Sequence, residues 1–151
     1  QMYAYDINGD GLNDVITSLA AHGYGLAWYE QSKVGSEIRF KEHIIMNKEV
    51  SENAYGVKFS QLHAIDLVDI DGDGLKDIVT GKRFWAHGPT GDADSGAAPV
   101  LYWFQLQRGA DRSVDFVPHI IDDASGVGTE VKAVDYNRDG LPDIVVGNKK
   151  G

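Results

Sequence analysis

The sequence of 151 residues contains no cysteine, which excludes disulfide frameworks, thiolate zinc sites and cysteine nucleophiles. It also lacks any apolar run near the roughly 18 residues that a membrane-spanning helix needs, and its start has no signal-peptide pattern. Basic residues are scarce, since 14 Lys and Arg stand against 23 Asp and Glu for a net charge of −9. Nucleic acid is therefore a poor partner, because neutralising phosphates requires clustered cations.

The sequence does contain a threefold internal repeat. Copies of the pattern Asp-x-[Asp/Asn]-x-Asp-Gly-x-x-Asp begin at Asp6, Asp69 and Asp135, which are 63 and 66 residues apart. Ten of the 23 acidic residues lie in these three loops. The acidity is therefore local, and it indicates cation binding rather than a generally acidic surface.

The segments between the loops predict β-structure. The second repeat contains four short runs rich in β-branched and aromatic residues, separated by turn residues, at approximately 62–68, 78–81, 100–106 and 116–121. No segment has helical apolar spacing long enough for a stable helix, so the predicted fold class is all-β. Four strands per repeat, arranged radially, is the plan of a β-propeller blade. A parallel β-helix is the alternative, but its coils are much shorter than these periods.

The predicted domain organisation is one partial propeller over residues 1–151, with three four-stranded blades whose repeats start near 1, 62 and 129. Three blades do not close a ring of four to eight, and both ends of the sequence fall within a blade. We therefore expect the remaining blades of the same propeller, or further copies of this chain, to complete the ring. Without them, apolar blade faces would be exposed.

The Asp-rich loops have the donor spacing of an oxygen cage for a hard cation. Positions 1, 3 and 5 direct side-chain oxygens inward, position 7 offers a backbone carbonyl, and position 9 closes the cage, which suits Ca²⁺. An EF-hand shares these nine positions but needs a Glu at position 12 and flanking helices. Here position 12 is Thr17, Thr80 or Val146, within predicted strands. For one isolated loop, an Asx-rich turn without an ion is the alternative.

These repeats resemble FG-GAP/VCBS repeats, the calcium-loop blades of integrin-α-type and bacterial secreted propellers, which are usually seven-bladed. The resemblance implies up to three Ca²⁺ ions, an extracellular or periplasmic location, and carbohydrate or protein ligands. The Phe-Gly-Gly-Ala-Pro signature of integrin blades is missing. The calcium ligands that the resemblance implies are Asp6, Asn8, Asp10, Leu12 (carbonyl) and Asp14; Asp69, Asp71, Asp73, Leu75 (carbonyl) and Asp77; and Asp135, Asn137, Asp139, Leu141 (carbonyl) and Asp143.

Two of the three loops have a neutral amide at position 3. Asn8 and Asn137 stand where the middle loop has a carboxylate. Because calcium affinity rises with ligand charge, we expect the loop that begins at Asp69 to bind most tightly.

Three histidines are expected at one end of adjacent blades. His63 begins the innermost strand of the second blade, and His22 and His87 follow second strands. Three imidazoles there could hold a second metal such as Zn²⁺ or act as acid and base. Ordinary hydrogen-bonded loop histidines are the alternative. His43 and His119 lie at matching repeat positions and are expected to be structural.

The second repeat carries an insertion of about 12 residues within 81–96. It combines Lys82, Arg83, Trp85, His87 and Asp92, which is the composition of a loop that binds a polar ligand such as a sugar. A solvated connecting loop is the alternative. We expect the three histidines and the first three of these residues to surround one polar pocket on a rim of the propeller.

The same segments support a second resemblance. The runs 22–30, 61–64 and 82–87 look similar to the propeller part of aldos-2-ulose dehydratase-like lyases, which act on keto-sugars and have metal-ion sites. This resemblance implies that His22, His63 and His87 are metal ligands or general bases. It also implies that Lys82 or Arg83 stabilises an enolate. The alternative function is therefore a metal-dependent sugar lyase with its site at the propeller rim.

Overall fold

The computed structural model describes residues 1–148, which form ten β-strands. The strands are β1 (Met2–Tyr5), β2 (Asp14–Ser18), β3 (Leu26–Val34), β4 (Glu37–Met46), β5 (Ile65–Val68), β6 (Asp77–Gly81), β7 (Leu101–Arg108), β8 (Val114–Asp122), β9 (Val131–Val134) and β10 (Asp143–Val146). One short 3₁₀ helix, Val50–Glu52, lies between the first four strands and the next four. Residues 1–148 contain no α-helix, and so no helix among them is long and apolar enough to cross a membrane.

The strands form three antiparallel sheets. Two sheets have four strands each, in the consecutive orders β1-β2-β3-β4 and β5-β6-β7-β8, and the third pairs β9 with β10. The predicted all-β class is confirmed, and the repeated four-stranded meander is consistent with part of a β-propeller. The third sheet has two strands within the described residues, rather than the four of a complete blade.

The two complete sheets repeat each other in detail. In the first sheet the β3–β4 register shifts between Leu26 and Ala27, and in the second the β7–β8 register shifts between Leu101 and Tyr102. The shift therefore falls at the first residue pair of each third strand. The irregularity therefore recurs at the same position, and the two sheets follow the same backbone plan at this end of their third strands.

The first strand of the second sheet is shorter than predicted, because the chain turns just before it. Gln61 has a φ of 62°, which lies in the left-handed region. Its amide donates to the carbonyl of Gly23, and its own carbonyl accepts hydrogen bonds from the amides of His63 and Arg83. These bonds join the segment before Ile65 to the rim loops instead of to the strand ladder.

Apolar side chains fill the spaces between neighbouring sheets. One buried cluster includes Ile16 and Trp28 of the first sheet and Ile78 and Phe104 of the second. A smaller cluster joins the second and third sheets through residues that include Val79 and Val131. Burial of each large apolar side chain contributes roughly 1.5–3 kcal/mol.

One buried carboxylate connects all three sheets. Asp66 in β5 accepts a hydrogen bond from the Tyr3 hydroxyl of the first sheet (3.1 Å) and another from the Ala133 amide of the third (2.8 Å). The Tyr3 hydroxyl also lies 3.0 Å from the carbonyl of Ile65. Burial, together with the charge of Asp66, raises the pKa of Tyr3 to about 12.

The third sheet and the Asp-rich loop between its strands expose several apolar side chains to solvent. Tyr136 is 81% exposed and Leu141 is 66% exposed, and Val134 and Val145 are also about half exposed. These side chains fit a partial propeller whose further blades cover this side.

Candidate functional sites

The three Asp-rich loops share one conformation around the carboxylate at position 1. In the first loop, Asp6 Oδ1 accepts a hydrogen bond from the Gly9 amide (2.8 Å) and Oδ2 accepts one from the Gly11 amide (3.0 Å). The same position-1 contacts in the other loops join Asp69 to the amides of Gly72 (2.8 Å) and Gly74 (2.9 Å), and Asp135 to the amide of Gly140 (3.0 Å).

Position 4 of each loop requires a left-handed backbone. Gly9 and Gly72 both have a φ of 78°, which glycine adopts without steric cost. Arg138 occupies this position in the third loop with a φ of 67°, at a cost of about 1–2 kcal/mol. The third loop therefore keeps the same backbone path although its sequence disfavours it.

Position 9 places a fully buried carboxylate beneath two of the loops. Asp14 accepts hydrogen bonds from the amides of Ile7 (2.9 Å) and Gln31 (2.8 Å), and Asp77 accepts the equivalent pair from Ile70 and Leu106. Both Asp side chains are 0% exposed, and neither forms an ion pair with a Lys or Arg among residues 1–148. Burial raises the pKa of Asp77 to about 6 although both amides favour its ionised form.

The remaining predicted ligands also lie at the loops. Oxygen atoms of Asp69, Asp71 and Asp77 all lie within 4.8 Å of one another. Position 5 caps position 7 in every loop, because Asp10, Asp73 and Asp139 accept hydrogen bonds from the amides of Leu12 (2.8 Å), Leu75 (2.7 Å) and Leu141 (2.9 Å). In the third loop, Asp143 accepts a hydrogen bond from the Tyr136 amide (2.9 Å), and Asn137 donates to Asp139 (3.0 Å). Buried carboxylates without counter-ions and converging hard oxygens fit a divalent cation such as Ca²⁺.

At the opposite end of β2 and β6, the structure brings the three predicted rim histidines together. The ring centroids of His22 and His63 are 4.7 Å apart, and those of His22 and His87 are 4.4 Å apart. The Nδ1 atoms of His22 and His87 lie 3.1 Å from each other. His22 therefore contacts both of the other imidazoles, as the shared rim predicts.

Asp92 completes this cluster, although the sequence did not single it out as a metal ligand. Its Oδ1 lies 3.0 Å from His22 Nδ1 and 2.7 Å from His87 Nδ1, and its side chain is 1% exposed. Its Oδ2 accepts the amides of Ala86 (2.8 Å) and His87 (2.7 Å). Burial raises the pKa of Asp92, but hydrogen bonds from His87, His22 and Ala86 outweigh it and hold the pKa well below its usual range. The sequence signal was an acidic residue in the insertion that also carries a histidine.

His63 faces a cation from the insertion. Arg83 Nη1 lies 3.4 Å from His63 Nε2. Burial, the guanidinium of Arg83 and the neighbouring His22 all lower the pKa of His63. His63 is therefore kept as a neutral imidazole, the form that accepts a proton or binds a metal. Trp85 packs against Phe84, with ring centroids 4.1 Å apart.

Lys82 occupies a different environment from the one predicted. Its side chain is fully buried, and its Nζ donates to the carbonyls of Arg83 (3.0 Å) and Phe84 (3.3 Å). Burial lowers its pKa. It lines a cavity of about 310 Å³ with Phe59, Tyr102 and others. Lys82 thus lies in a neighbouring cavity, whereas Arg83 reaches the histidine cluster.

Residues 6–80 match the family model of the FG-GAP-like repeat. The match begins at the first position of the first Asp-rich loop and extends through the second loop into β6. It supports an FG-GAP repeat family and a β-propeller-like module. No curated protein matches the chain. The resemblances to VCBS repeats and to aldos-2-ulose dehydratase-like lyases stay predictions.

Proposed function

We propose that this chain is a calcium-binding segment of an FG-GAP-type β-propeller. The observation that carries the proposal is the pair of buried position-9 carboxylates, Asp14 and Asp77, which have no cationic partner in the described part of the chain. Burying an unpaired charge is costly, and a divalent cation within the loop would offset that cost. Each loop would hold one Ca²⁺ through side chains at positions 1, 3, 5 and 9 and the carbonyl at position 7.

The bound ions would be structural. Up to three Ca²⁺ ions would offset much of the net charge of −9, and so relieve repulsion that opposes folding. Calcium sites of extracellular modules bind in the range of about 10⁻⁴–10⁻³ M, which suits calcium-rich surroundings. We propose an extracellular or periplasmic location for the protein, with carbohydrate or protein ligands.

Thermal unfolding tests the calcium proposal. After EDTA treatment, 5 mM CaCl₂ should raise the melting temperature by several degrees, and 5 mM MgCl₂ should raise it much less. Asp77→Asn should reduce the calcium response. The matched control is Asp111→Asn, since Asp111 is exposed and bonds only Ser113 within its own turn. A melting temperature that is the same in EDTA and in calcium would overturn the proposal.

A second candidate function is favoured by the histidine cluster. In this cluster, two imidazole nitrogens and one carboxylate oxygen, from His22, His87 and Asp92, all lie within 4.8 Å of one another. Three such ligands with a remaining open position are typical of catalytic zinc sites. We propose that this rim centre holds Zn²⁺ or a similar ion and serves a sugar lyase. Bound there, the ion would polarise a carbonyl of the sugar.

The neighbouring residues fit the proton transfers of a dehydration. Neutral His63 would accept a proton from the carbon next to the carbonyl of a keto-sugar. The electrons of the broken C–H bond move to the carbonyl oxygen, and Arg83 would stabilise the resulting enolate. When the enolate collapses, the hydroxyl on the next carbon would leave and take up the proton that His63 had accepted, which forms water and restores the neutral imidazole. The elimination therefore balances without an oxidant or reductant.

Cobalt absorption and an activity assay test the rim centre. Co²⁺ bound by His22, His87 and Asp92 should give visible absorption bands that Asp92→Asn and His87→Gln abolish. His43→Gln is the matched control, because His43 stacks on Trp28 instead (4.2 Å). Dehydration of anhydrofructose should then depend on His63. Unchanged bands in Asp92→Asn would exclude the centre, and bands without turnover would leave a metal-binding module rather than a lyase.

A further inference from the structure

In each of the first two blades, position 3 of the Asp-rich loop contacts a residue of the third strand, and one of the two partners is a carboxylate. The carboxylate lies on the strand in the first blade and in the loop in the second. Position 3 of the loop is Asn8 in the first blade and Asp71 in the second. The strand residue that faces it is Glu30 in β3 and Gln105 in β7. Asn8 Nδ2 donates to Glu30 Oε1 (3.3 Å), whereas Gln105 Nε2 donates to Asp71 Oδ2 (2.5 Å). The acid and the amide have therefore exchanged places.

The strand register shows that Glu30 and Gln105 are equivalent. Val15 pairs with Tyr29 in the first sheet, and Ile78 pairs with Phe104 in the second. The residue after each of these partners is Glu30 or Gln105. The next residue along, Gln31 or Leu106, donates its amide to the position-9 carboxylate of its own loop. Both strands therefore run past their loops in the same alignment.

The oxygen that each position-3 residue offers to its loop is also equivalent. Asn8 Oδ1 accepts the amide of Asp10 (3.0 Å), and Asp71 Oδ1 accepts the amide of Asp73 (3.1 Å). The NH₂ group of Asn8 thus occupies the place of the second carboxylate oxygen of Asp71. In each blade, the pair formed by position 3 and the strand residue carries one negative charge.

Glu30 is held in place from its far side. Its Oε2 lies 2.8 Å from His43 Nε2, and His43 is stacked on Trp28. In the second blade His119 stacks on Trp103 in the same way, but its Nε2 is buried without a hydrogen-bond partner among residues 1–148. In the first blade, the His43 imidazole therefore orients the Glu30 carboxylate toward the loop. In the second blade, the equivalent imidazole of His119 has no such role, because Gln105 replaces the carboxylate.

We propose that Glu30 supplies to the first loop the negative charge that Asn8 lacks. Four carboxylates then surround the first loop (Asp6, Asp10, Asp14 and Glu30), as four surround the second. The two sites should bind Ca²⁺ with similar affinity, which replaces the ordering expected from the loop sequences alone. In the third loop Asn137 donates to Asp139 instead. Residues 1–148 contain only two strands of this sheet, so no third-strand carboxylate equivalent to Glu30 faces Asn137 among them. The inference rests on the calcium proposal above.

Site-resolved titration by NMR separates the three loops. The position-6 amides of Gly11, Gly74 and Gly140 each bond the position-1 carboxylate of their own loop, so each resonance reports one site. In the full chain at pH 8, where ordinary imidazoles are uncharged, the wild-type constants of the first two sites should agree within about threefold. Glu30→Gln should weaken the first site on the order of tenfold, as loss of a residue behind a metal ligand does, and leave the Gly74 titration unchanged.

Two further variants make the result decisive. Glu42→Gln removes the same charge from the neighbouring strand, where Glu42 accepts the Tyr29 hydroxyl (2.6 Å), and should change the first site less than twofold. The exchange Asn8→Asp with Glu30→Gln copies the second blade and should restore the affinity. An unchanged first site in Glu30→Gln, or an unrestored one in the exchange variant, would overturn the role of Glu30. Absence of calcium shifts at all three glycines in the wild type would instead overturn the calcium proposal.

Discussion

Arg108 Nε donates a hydrogen bond of 2.8 Å to the carbonyl of Ile7, which lies 101 residues earlier in the chain. Arg108 Nη2 donates a second hydrogen bond to the carbonyl of Asp6 (2.6 Å). The last residue of β7 thus joins the second sheet to the first Asp-rich loop. The two carbonyls belong to positions 1 and 2 of that loop, so the guanidinium fixes the beginning of the proposed calcium cage.

Replacing this guanidinium should destabilise the protein. Arg108→Met keeps most of the aliphatic stem but leaves two carbonyls without their donors, and hydrogen bonds to charged groups contribute about 1.5–3 kcal/mol. We expect the free energy of unfolding, measured with urea in EDTA, to fall by about 3 kcal/mol, the lower end of the range for two such bonds. Arg39→Met is the control, because Arg39 forms only an exposed ion pair with Glu37 and should change stability by less than about 1 kcal/mol.

Two glycines with the same backbone conformation should respond differently to alanine. Gly9 and Gly72 both have a φ of 78°, so Ala costs about 1–2 kcal/mol of strain at either position. A Cβ at Gly9 would also lie 3.0 Å from Arg108 Nη1, whereas a Cβ at Gly72 meets nothing within 4 Å. Gly9→Ala should therefore cost about 1 kcal/mol more than Gly72→Ala. Equal losses in urea unfolding would show that Arg108 moves aside freely.

The contribution of Tyr3 to the free energy of unfolding should decrease at alkaline pH. Its folded pKa of about 12 lies above the ordinary tyrosine value of about 10, so the folded state favours the neutral phenol. The stability that this shift contributes is fully present below about pH 10 and is lost as the pH rises through 12. Tyr3→Phe should cost about 1 kcal/mol at pH 8 and less at pH 11. Unfolding at both values should be measured in a Tyr24→Phe background, because the pKa of Tyr24 is also raised to about 12.

A Lys82 variant tests whether this residue contributes to stability and whether it belongs to the rim metal centre. Its Nζ is buried and donates to two backbone carbonyls, so Lys82→Met loses these two hydrogen bonds but also removes a buried charge. These effects oppose each other, and we expect a change in unfolding free energy of no more than about 1.5 kcal/mol. Cobalt binding at the rim should persist in this variant. Its loss would show that the Lys82 cavity and the histidine cluster are one site.

The strand plan could be predicted because it repeats. The predicted segments 78–81 and 116–121 lie within β6 and β8, and 100–106 overlaps β7. They could be predicted because runs of β-branched and aromatic residues are separated by clear turn signals. The meeting of His22 and His63 was also predictable from blade geometry. Both predictions required only the order of the strands and the end of the blade at which each strand begins.

The contacts that cross between sheets could not be predicted. Nothing in the sequence near Asn8 shows that Glu30, 22 residues later, faces its amide. Likewise, Lys82 is fully buried and shares a cavity with residues distant in sequence, such as Phe59 and Tyr102, whereas a cation after a strand normally indicates a solvated end. These details depend on how separate segments pack, which repeat patterns alone do not encode.

The bridging position of Asp66 has a consequence for how the molecule comes apart. In arrays whose repeats touch only through apolar faces, single repeats can open one at a time. Here, unfolding of the first or the third sheet would remove one hydrogen bond from Asp66 while the remaining sheets still bury this carboxylate. Fraying of one blade therefore carries a penalty within its neighbour, and the three sheets should exchange their amide hydrogens as one cooperative unit rather than as three separate ones.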